Sequence, residues 1–494
     1  MSDEQQGNAD HQPPSGASTT GTWNGVDYTA TAAWAVLRKK EKPAAEMFSV
    51  SYVASSPGTD RPVTFVFNGG PGASSAYLHI GLVGPQRVEL PADGTVPPMP
   101  PRMVHNEESW LGFTDLVFID PIGTGFSRVI ETADTADDKT DKTDPGEYFG
   151  VTRDLEAICE FMGRWLSDNG RWGSAVFIAG ESYGGYRTAR LTRMLHETTG
   201  IGLSGALLIS PALEFGGLTA LMGRGDYEVL PWVDILPTMA LTAVHHGRSR
   251  AFAPGTAVAD VRRGAEEFAT GDYAVFLTRG AAMPADERER VLARLADLIG
   301  LEPEFVARAE GRVRVDQFAR ELLRDERKVL GRYDGTVTTA DPYPDRSMFE
   351  GADPTLSSIK SAYTMAVNQH LRSTIGVETD REYSLLNLDV VLGWKDDASV
   401  IYNLPVQGAT DDLRYGMAVN PHMRTFITHG RYDLVTPYYT SDRLRNLMRL
   451  DPGVADRLTV RHFEGGHMFY AWQESRRAFT SAVAGFVAEA AGPR

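Results

Sequence analysis

The sequence predicts an α/β protein: a doubly wound, mostly parallel sheet with a largely helical cap insertion. Three observations carry that prediction: short β-rich runs that stop at Gly, Pro or Asp, amphipathic helical stretches between them, and a long charged segment without such runs. The runs are VTFVF (residues 63–67), DLVFID (115–120), SAVFIAG (174–180) and GALLIS (205–210). Continuous apolar runs of that length suit central strands buried on both faces. In residues 151–166, Val151, Leu155, Ile158, Met162 and Trp165 recur at three- and four-residue steps, which gives one apolar helix face. Strands alternating with helices imply the parallel sheet. Ahead of them, residues 28–37 (YTATAAWAVL) and 47–54 read as antiparallel strands. Two late runs, 424–430 and 458–465, complete the sheet.

The division that follows is a disordered tail over 1–22, core over 23–215, a cap insertion over 216–384 and core again over 385–494. The tail is polar and rich in Gly, Ser, Gln and Pro, too little apolar surface to offset ordering. The insertion carries helical segments such as DERERVLARLADLIG, in which Val291, Leu292, Leu295, Leu298 and Ile299 share one face. Residues 131–147, rich in Asp and Thr, read as a solvated loop, because they lack the spacing of a calcium-binding loop.

Composition excludes several function classes. A net charge of −16, from 65 acidic and 49 basic residues, argues against a broad phosphate-binding face, so nucleic acid is not an expected partner. No run of about 18 apolar residues is present for a membrane span. Cys159 is the one cysteine, so no intramolecular disulfide can form. The N-terminal residues lack the apolar stretch of a signal peptide, and a cytoplasmic setting is the expectation. Neither HExxH nor CxxC occurs, so no metal or other cofactor is expected.

The sharpest motif is Gly180-Glu181-Ser182-Tyr183-Gly184, a G-x-S-x-G sequence between a predicted strand and a predicted helix. That context is the nucleophile elbow of α/β-hydrolase folds, in which a tight turn lifts the serine clear of the sheet. Asn68-Gly69-Gly70-Pro71-Gly72 follows the strand at 63–67. The fold needs one oxyanion donor from such a loop and one from the residue after the nucleophile, which points to the N–H groups of Gly70 and Tyr183. The chain order nucleophile, acid, histidine then selects Asp433, after the strand at 424–430, and His467, after the strand at 458–465. A neutral histidine takes the serine proton, and a buried carboxylate fixes its tautomer.

Taken together, the motifs FNGGPGASS (67–75), DPIGTGFS (120–127), GESYGG (180–185), HGRYD (429–433) and GGH (465–467) resemble the serine carboxypeptidase family, in particular its bacterial members without a disulfide framework. The resemblance runs over roughly residues 25–490. It implies hydrolysis of C-terminal residues from peptide substrates. It also implies that Asn68, Gly69 and Glu181 recognise the terminal carboxylate. A glutamate beside a substrate carboxylate helps only if one proton is shared, so peptidase activity is expected to be better below neutral pH. Three positions depart from the family pattern. Val66 replaces a tryptophan, Ala73 a cysteine, and Leu82 the second glutamate that pairs with the one before the nucleophile. The loss at Leu82 keeps an esterase or acyltransferase with the same triad as the first alternative. A catalytically silent binding protein on this fold is the second. The sequence gives no oligomeric state.

Overall fold

A computed structural model describes residues 11–55, 61–95, 97–130, 145–215, 227–346, 349–395 and 408–492. Its main sheet is built from β1 (Ala17–Trp23), β2 (Val26–Lys39), β3 (Lys42–Ala54), β4 (Val63–Phe67), β5 (Asp115–Ile119), β6 (Val176–Glu181), β7 (Leu203–Ile209), β8 (Arg424–Gly430) and β9 (Leu458–Phe463). The spatial order is β1-β2-β3-β5-β4-β6-β7-β8-β9, and a two-residue strand, Arg128–Val129, adds to β3. Pairing is antiparallel from β1 to β5 and parallel from β5 through β9. Every residue of β4, β5 and β6 is buried, which is why these runs are continuously apolar rather than alternating.

Helices cover both faces. On one, α1 (Val151–Asp168) and α2 (Tyr183–Met194) pack with Phe65, Val117 and Ile178 of the sheet. Beyond them in the chain come α3 (Leu230–His245), α4 (Ala285–Ile299), α5 (Pro354–Gln369), α6 (Thr410–Val419), α7 (Tyr438–Leu447) and α8 (Gln473–Ala491). On the other face, α5 and α8 pack with Val66, Phe118 and Phe177. Strand side chains alternate between these two cores, as the period of two requires.

Two boundaries differ from the sequence reading. The expected disordered tail over 1–22 includes β1, which pairs with β2 across the two-residue turn Asn24-Gly25. Both turn residues have positive φ, +45° and +83°, the geometry that Asn-Gly supplies at least cost. Residues 18–22 are polar because β1 is an edge strand with alternate residues exposed. Residues 1–10 of that tail, and residues 131–144 of the acidic loop, lie outside the described residues. The insertion also divides. From Trp232 to Leu330 it has its own apolar core, built on α3 and α4. Further along it, α5 contributes Ile359, Ala362, Tyr363 and Ala366 to the core under the sheet. Amphipathic periodicity announces a buried face without saying which core receives it.

Candidate active site

The parallel strands end at a common edge, and the loops leaving β4, β6, β8 and β9 meet there. At the end of β6 the chain turns through Ser182 into α2. Ser182 has φ +61° and ψ −121°, a conformation that costs a non-glycine residue about 1–3 kcal/mol. The surroundings hold it there: Ser182 N–H donates to Ile209 O (2.9 Å), and Ser182 O accepts from Gly185 N–H (2.9 Å) and Ala212 N–H (3.1 Å). A Cβ at Gly180 would lie 2.0 Å from Gly184 O, so the elbow admits only glycine there.

The loop after β4 lies against this turn. A Cβ on Gly69 would come within 2.4 Å of Tyr183 N, so glycine is what allows the two loops to approach. Gly70 has φ +103°. Among the described residues, neither Gly70 N–H nor Tyr183 N–H is given to another backbone carbonyl, so both remain available as donors. Asn68 is pinned: its Oδ1 accepts from Leu78 N–H (3.0 Å) and its carbonyl from the Arg187 guanidinium (2.8 Å), itself paired with buried Asp154. With Oδ1 engaged, Nδ2 donates to Glu181 Oε2.

His467 and Asp433 form the second half of the site. His467 Nδ1 bonds Asp433 Oδ2 at 2.7 Å. Asp433 is fully buried and also accepts from Val435 N–H (2.9 Å), Thr436 N–H (3.0 Å) and the Thr436 hydroxyl (2.6 Å). Burial pulls the His467 imidazole down, but the Asp433 charge and hydrogen bond, with the Glu181 charge, outweigh it and leave the imidazole raised. Glu181 is pushed up to about 7, first by burial and also by the Asp433 charge, against the His467 charge and the Tyr470 and Asn68 side chains.

One cavity of about 80 Å³ joins the two halves; it is lined by Asn68, Gly69, Gly70, Glu181, Ser182 and His467, with Ala73, Tyr77, Tyr333, Leu356, Leu386 and Met468 as its walls. The expected catalytic, oxyanion and carboxylate-binding residues are thus all at this edge of the sheet, Asp433 and Tyr183 standing behind His467 and Ser182. Ser182 and His467 share the cavity without a direct hydrogen bond among the described residues; such contacts are often long in an unliganded site and tighten around substrate. Leu82 is fully buried in the main core, so no second carboxyl stands at that position.

Several contributors lie in no motif. The His467 loop is clasped by the insertion: His467 N–H donates to Tyr333 O (2.5 Å), the Tyr333 ring stands edge-on to the imidazole at 5.2 Å, and Asp334 Oδ2 accepts from Gly466 N–H (2.9 Å). Ser210 Oγ donates to His467 O (2.7 Å). Tyr470 reaches Glu181 from three residues past the histidine; its nearness to His467 is visible in the sequence, its contact with Glu181 is not. Among the described residues no group of three or more His, Cys, Asp or Glu side chains could hold a metal ion, and no described helix is long and apolar enough to cross a membrane. Cys159 is buried and its thiol pushed up to about 12 by burial, away from the site.

A mostly parallel sheet covered on both faces, with a strand–serine–helix elbow at its edge, defines an α/β-hydrolase. Residues 29–214 match the family model described as serine carboxypeptidase. Serine carboxypeptidase-like 40 of Arabidopsis thaliana is 31% identical over 37% of this chain and 34% of its own length. The pheromone-processing carboxypeptidase kex1 of Sclerotinia sclerotiorum is 30% identical over 26% of this chain and 18% of its own. The chain spans about a third of the length of the first curated relatives it matches. These relatives are plant and fungal, so the narrower likeness to bacterial members finds no support among them. In fold, the chain is similar to a prohormone-processing carboxypeptidase from Saccharomyces cerevisiae, with a TM-score of 0.55 at 15% identity, covering 93% of this chain and 91% of that one.

Proposed function

We propose that the protein is a serine carboxypeptidase that removes C-terminal residues from peptides. The observation that carries this reading is the Asn68–Glu181 pair, set in the same small cavity as Ser182, with one Glu181 oxygen lacking a good partner. A buried carboxyl held up near neutrality can donate its proton to a substrate's terminal carboxylate, where an ionised one would repel it. Ser182 Oγ attacks the last peptide carbonyl as His467 takes its proton. The Gly70 and Tyr183 N–H groups receive the oxyanion. His467 then passes the proton to the departing amine, and the terminal residue leaves. Water, deprotonated by His467, attacks the acyl-enzyme, and the proton returns to Ser182 Oγ as the shortened peptide departs. No cofactor enters this sequence. Asn68, Gly69 and Glu181 hold the carboxylate that distinguishes a chain end from an internal bond.

The test compares kcat/KM on one blocked dipeptide as free acid and as C-terminal amide, with Ser182→Ala as background. A strong preference for the free acid, absent in the variant, is the expected outcome. Equal rates, or activity only on the matching ester, would reject the carboxylate site. The second reading, an esterase or acyltransferase, is favoured by one observation: Leu82 puts an alkyl side chain in the core where a second glutamate would complete the anchor.

A further inference from the structure

The Glu181 carboxyl is held unevenly. Oε2 accepts from Asn68 Nδ2, whereas Oε1 is buried without a hydrogen-bond partner of good geometry. A proton on Glu181 therefore belongs on Oε1, because Oε2 faces a donor. Beside the carboxyl stands Tyr470, fully buried, with its hydroxyl equally lacking a well-formed partner. Tyr470 is fixed from behind: its carbonyl accepts from the buried Arg476 guanidinium (3.1 Å), and its ring packs against Phe469 in the main core. The other titratable groups that act on Glu181 are His467, Asp433 behind it, and the hydroxyls of Tyr77 and Tyr363. Tyr77 and Tyr363 lie ring against ring at 5.3 Å. Leu82 contributes no polar atom. Tyr470 is the side chain among these whose hydroxyl is both next to the Glu181 carboxyl and uncommitted elsewhere.

We propose that Tyr470 is a positioning residue for the carboxylate anchor, whose hydroxyl competes with the substrate's terminal carboxylate for Glu181 Oε1. When Glu181 is ionised, the hydroxyl donates to Oε1 and satisfies it. When Glu181 is protonated, Oε1–H turns to the substrate carboxylate and the hydroxyl gives it up. A carboxyl in place of Leu82 could share a proton with Glu181 in either direction. A tyrosine cannot give up its own proton near neutrality, so its hydroxyl, which donates to the ionised carboxyl and can at most accept from the protonated one, favours the ionised side of the exchange. Tyr470 thus limits the pH range over which a free chain end is held. This inference rests on the proposed carboxypeptidase reading for its consequence in turnover, but not for the contact itself.

The test follows the Glu181 proton directly, by pH-difference infrared spectroscopy of the whole protein. The carboxyl band is identified by its absence in Glu181→Gln. In Tyr470→Phe the midpoint of that band should move up by about one pH unit, the effect of removing one donor from a buried carboxylate. A fluorotyrosine placed at 470, a stronger donor, should move it down. In kcat/KM on a free-acid peptide, the alkaline limb should move up with the band in Tyr470→Phe and the change should sit in KM. The limb measured on the matching ester, which has no carboxylate to anchor, should not follow. A band midpoint that stays within about 0.2 pH unit in both proteins, or moves the same way in both, overturns the proposal. If the wild-type protein cleaves esters but not free-acid peptides, the carboxypeptidase reading falls while the infrared midpoints still decide the role of Tyr470.

Discussion

Asp433 lies just past the end of β8 with four donors on its two oxygens, whereas Glu181, at the end of β6, has one donor on Oε2 and no well-formed bond on Oε1. Both are buried, and both act on His467. A shell made only of donors suits a carboxylate that orients and balances an imidazolium. A shell that leaves one oxygen without a well-formed bond suits a carboxyl that gives and takes a proton. The same residue chemistry is thus set to two tasks by the number of N–H and O–H groups around it. On the proposed reading, catalysis and chain-end recognition become separable, and substitutions at the two positions should fail in different ways.

The largest expected effect is at Asp433. Asp433→Asn keeps the size but faces His467 Nδ1 and the Thr436 donors with an amide, favouring the wrong imidazole tautomer. We expect kcat/KM to fall by roughly 10³–10⁴ on free-acid peptides and esters alike. A loss confined to free acids would break the division between the two carboxylates. Next is Glu181→Gln, which should cost free-acid peptides about 10²-fold while ester hydrolysis falls much less, since the loss of one charge-assisted hydrogen bond is worth about 1.5–3 kcal/mol. In the wild-type protein, kcat/KM on free acids should drop as pH rises through about 7, because Glu181 loses the proton it donates. It should also drop on the acid side as His467 becomes charged. Glu181→Gln should keep the acid limb and lose the alkaline one; an alkaline limb that survives in this variant would assign it elsewhere.

The sequence made one side of this contrast more legible than the other. Ser182, Asp433 and His467 each follow a β-rich run that ends in glycine or a tight turn, and the chain order names their roles. The strand edge itself was readable because buried strands are continuously apolar. Glu181 was readable as a position, but its setting was not. Tyr470 lies close to His467 in the chain, yet its partner Glu181 is almost three hundred residues away. Tyr333 and Asp334 reach the His467 loop from the insertion, and no local pattern announces a contact over more than a hundred residues. The β1–β2 hairpin was missed for a different reason. Its Asn24-Gly25 turn was in plain view, but an edge strand that exposes alternate residues is polar enough to look like a tail.

The contrast also has a thermodynamic form. Glu181 has a folded pKa of about 7, above the roughly 4.3 of an unfolded glutamate. Between those values the folded state binds more protons than the unfolded state. Stability therefore falls as pH rises from about 4.3 through about 7, and no further above it. Glu181→Gln removes this dependence, so its stability relative to wild type should rise across that interval, by on the order of 3 kcal/mol. Urea unfolding of both proteins at pH 5 and pH 8 checks the sign. A gap between them that does not widen with pH would mean that Glu181 is already ionised in the folded protein, and the two carboxylates would then differ only in position.

The smallest predicted effect concerns the leaving residue. Ala73, Tyr77, Tyr333, Leu356, Leu386 and Met468 give the cavity largely apolar or aromatic walls, and its titrating groups with acidic or imidazole character are Glu181 and His467. If Glu181 is engaged with Asn68 and the chain-end carboxylate, it is not available to a basic side chain. A terminal Leu should then be preferred over Ala by about tenfold, from about 1.5 kcal/mol of buried alkyl surface. A terminal Lys should fare worse than Leu, since burying its ammonium among these walls without a partner is costly. Steady-state kcat/KM on a series differing only in the last residue measures this. A preference for Lys would turn the comparison around: Glu181 would be reading the side chain as an ionised partner, and the chain-end carboxylate would have to be held by Asn68 and the Gly69 backbone without a shared proton.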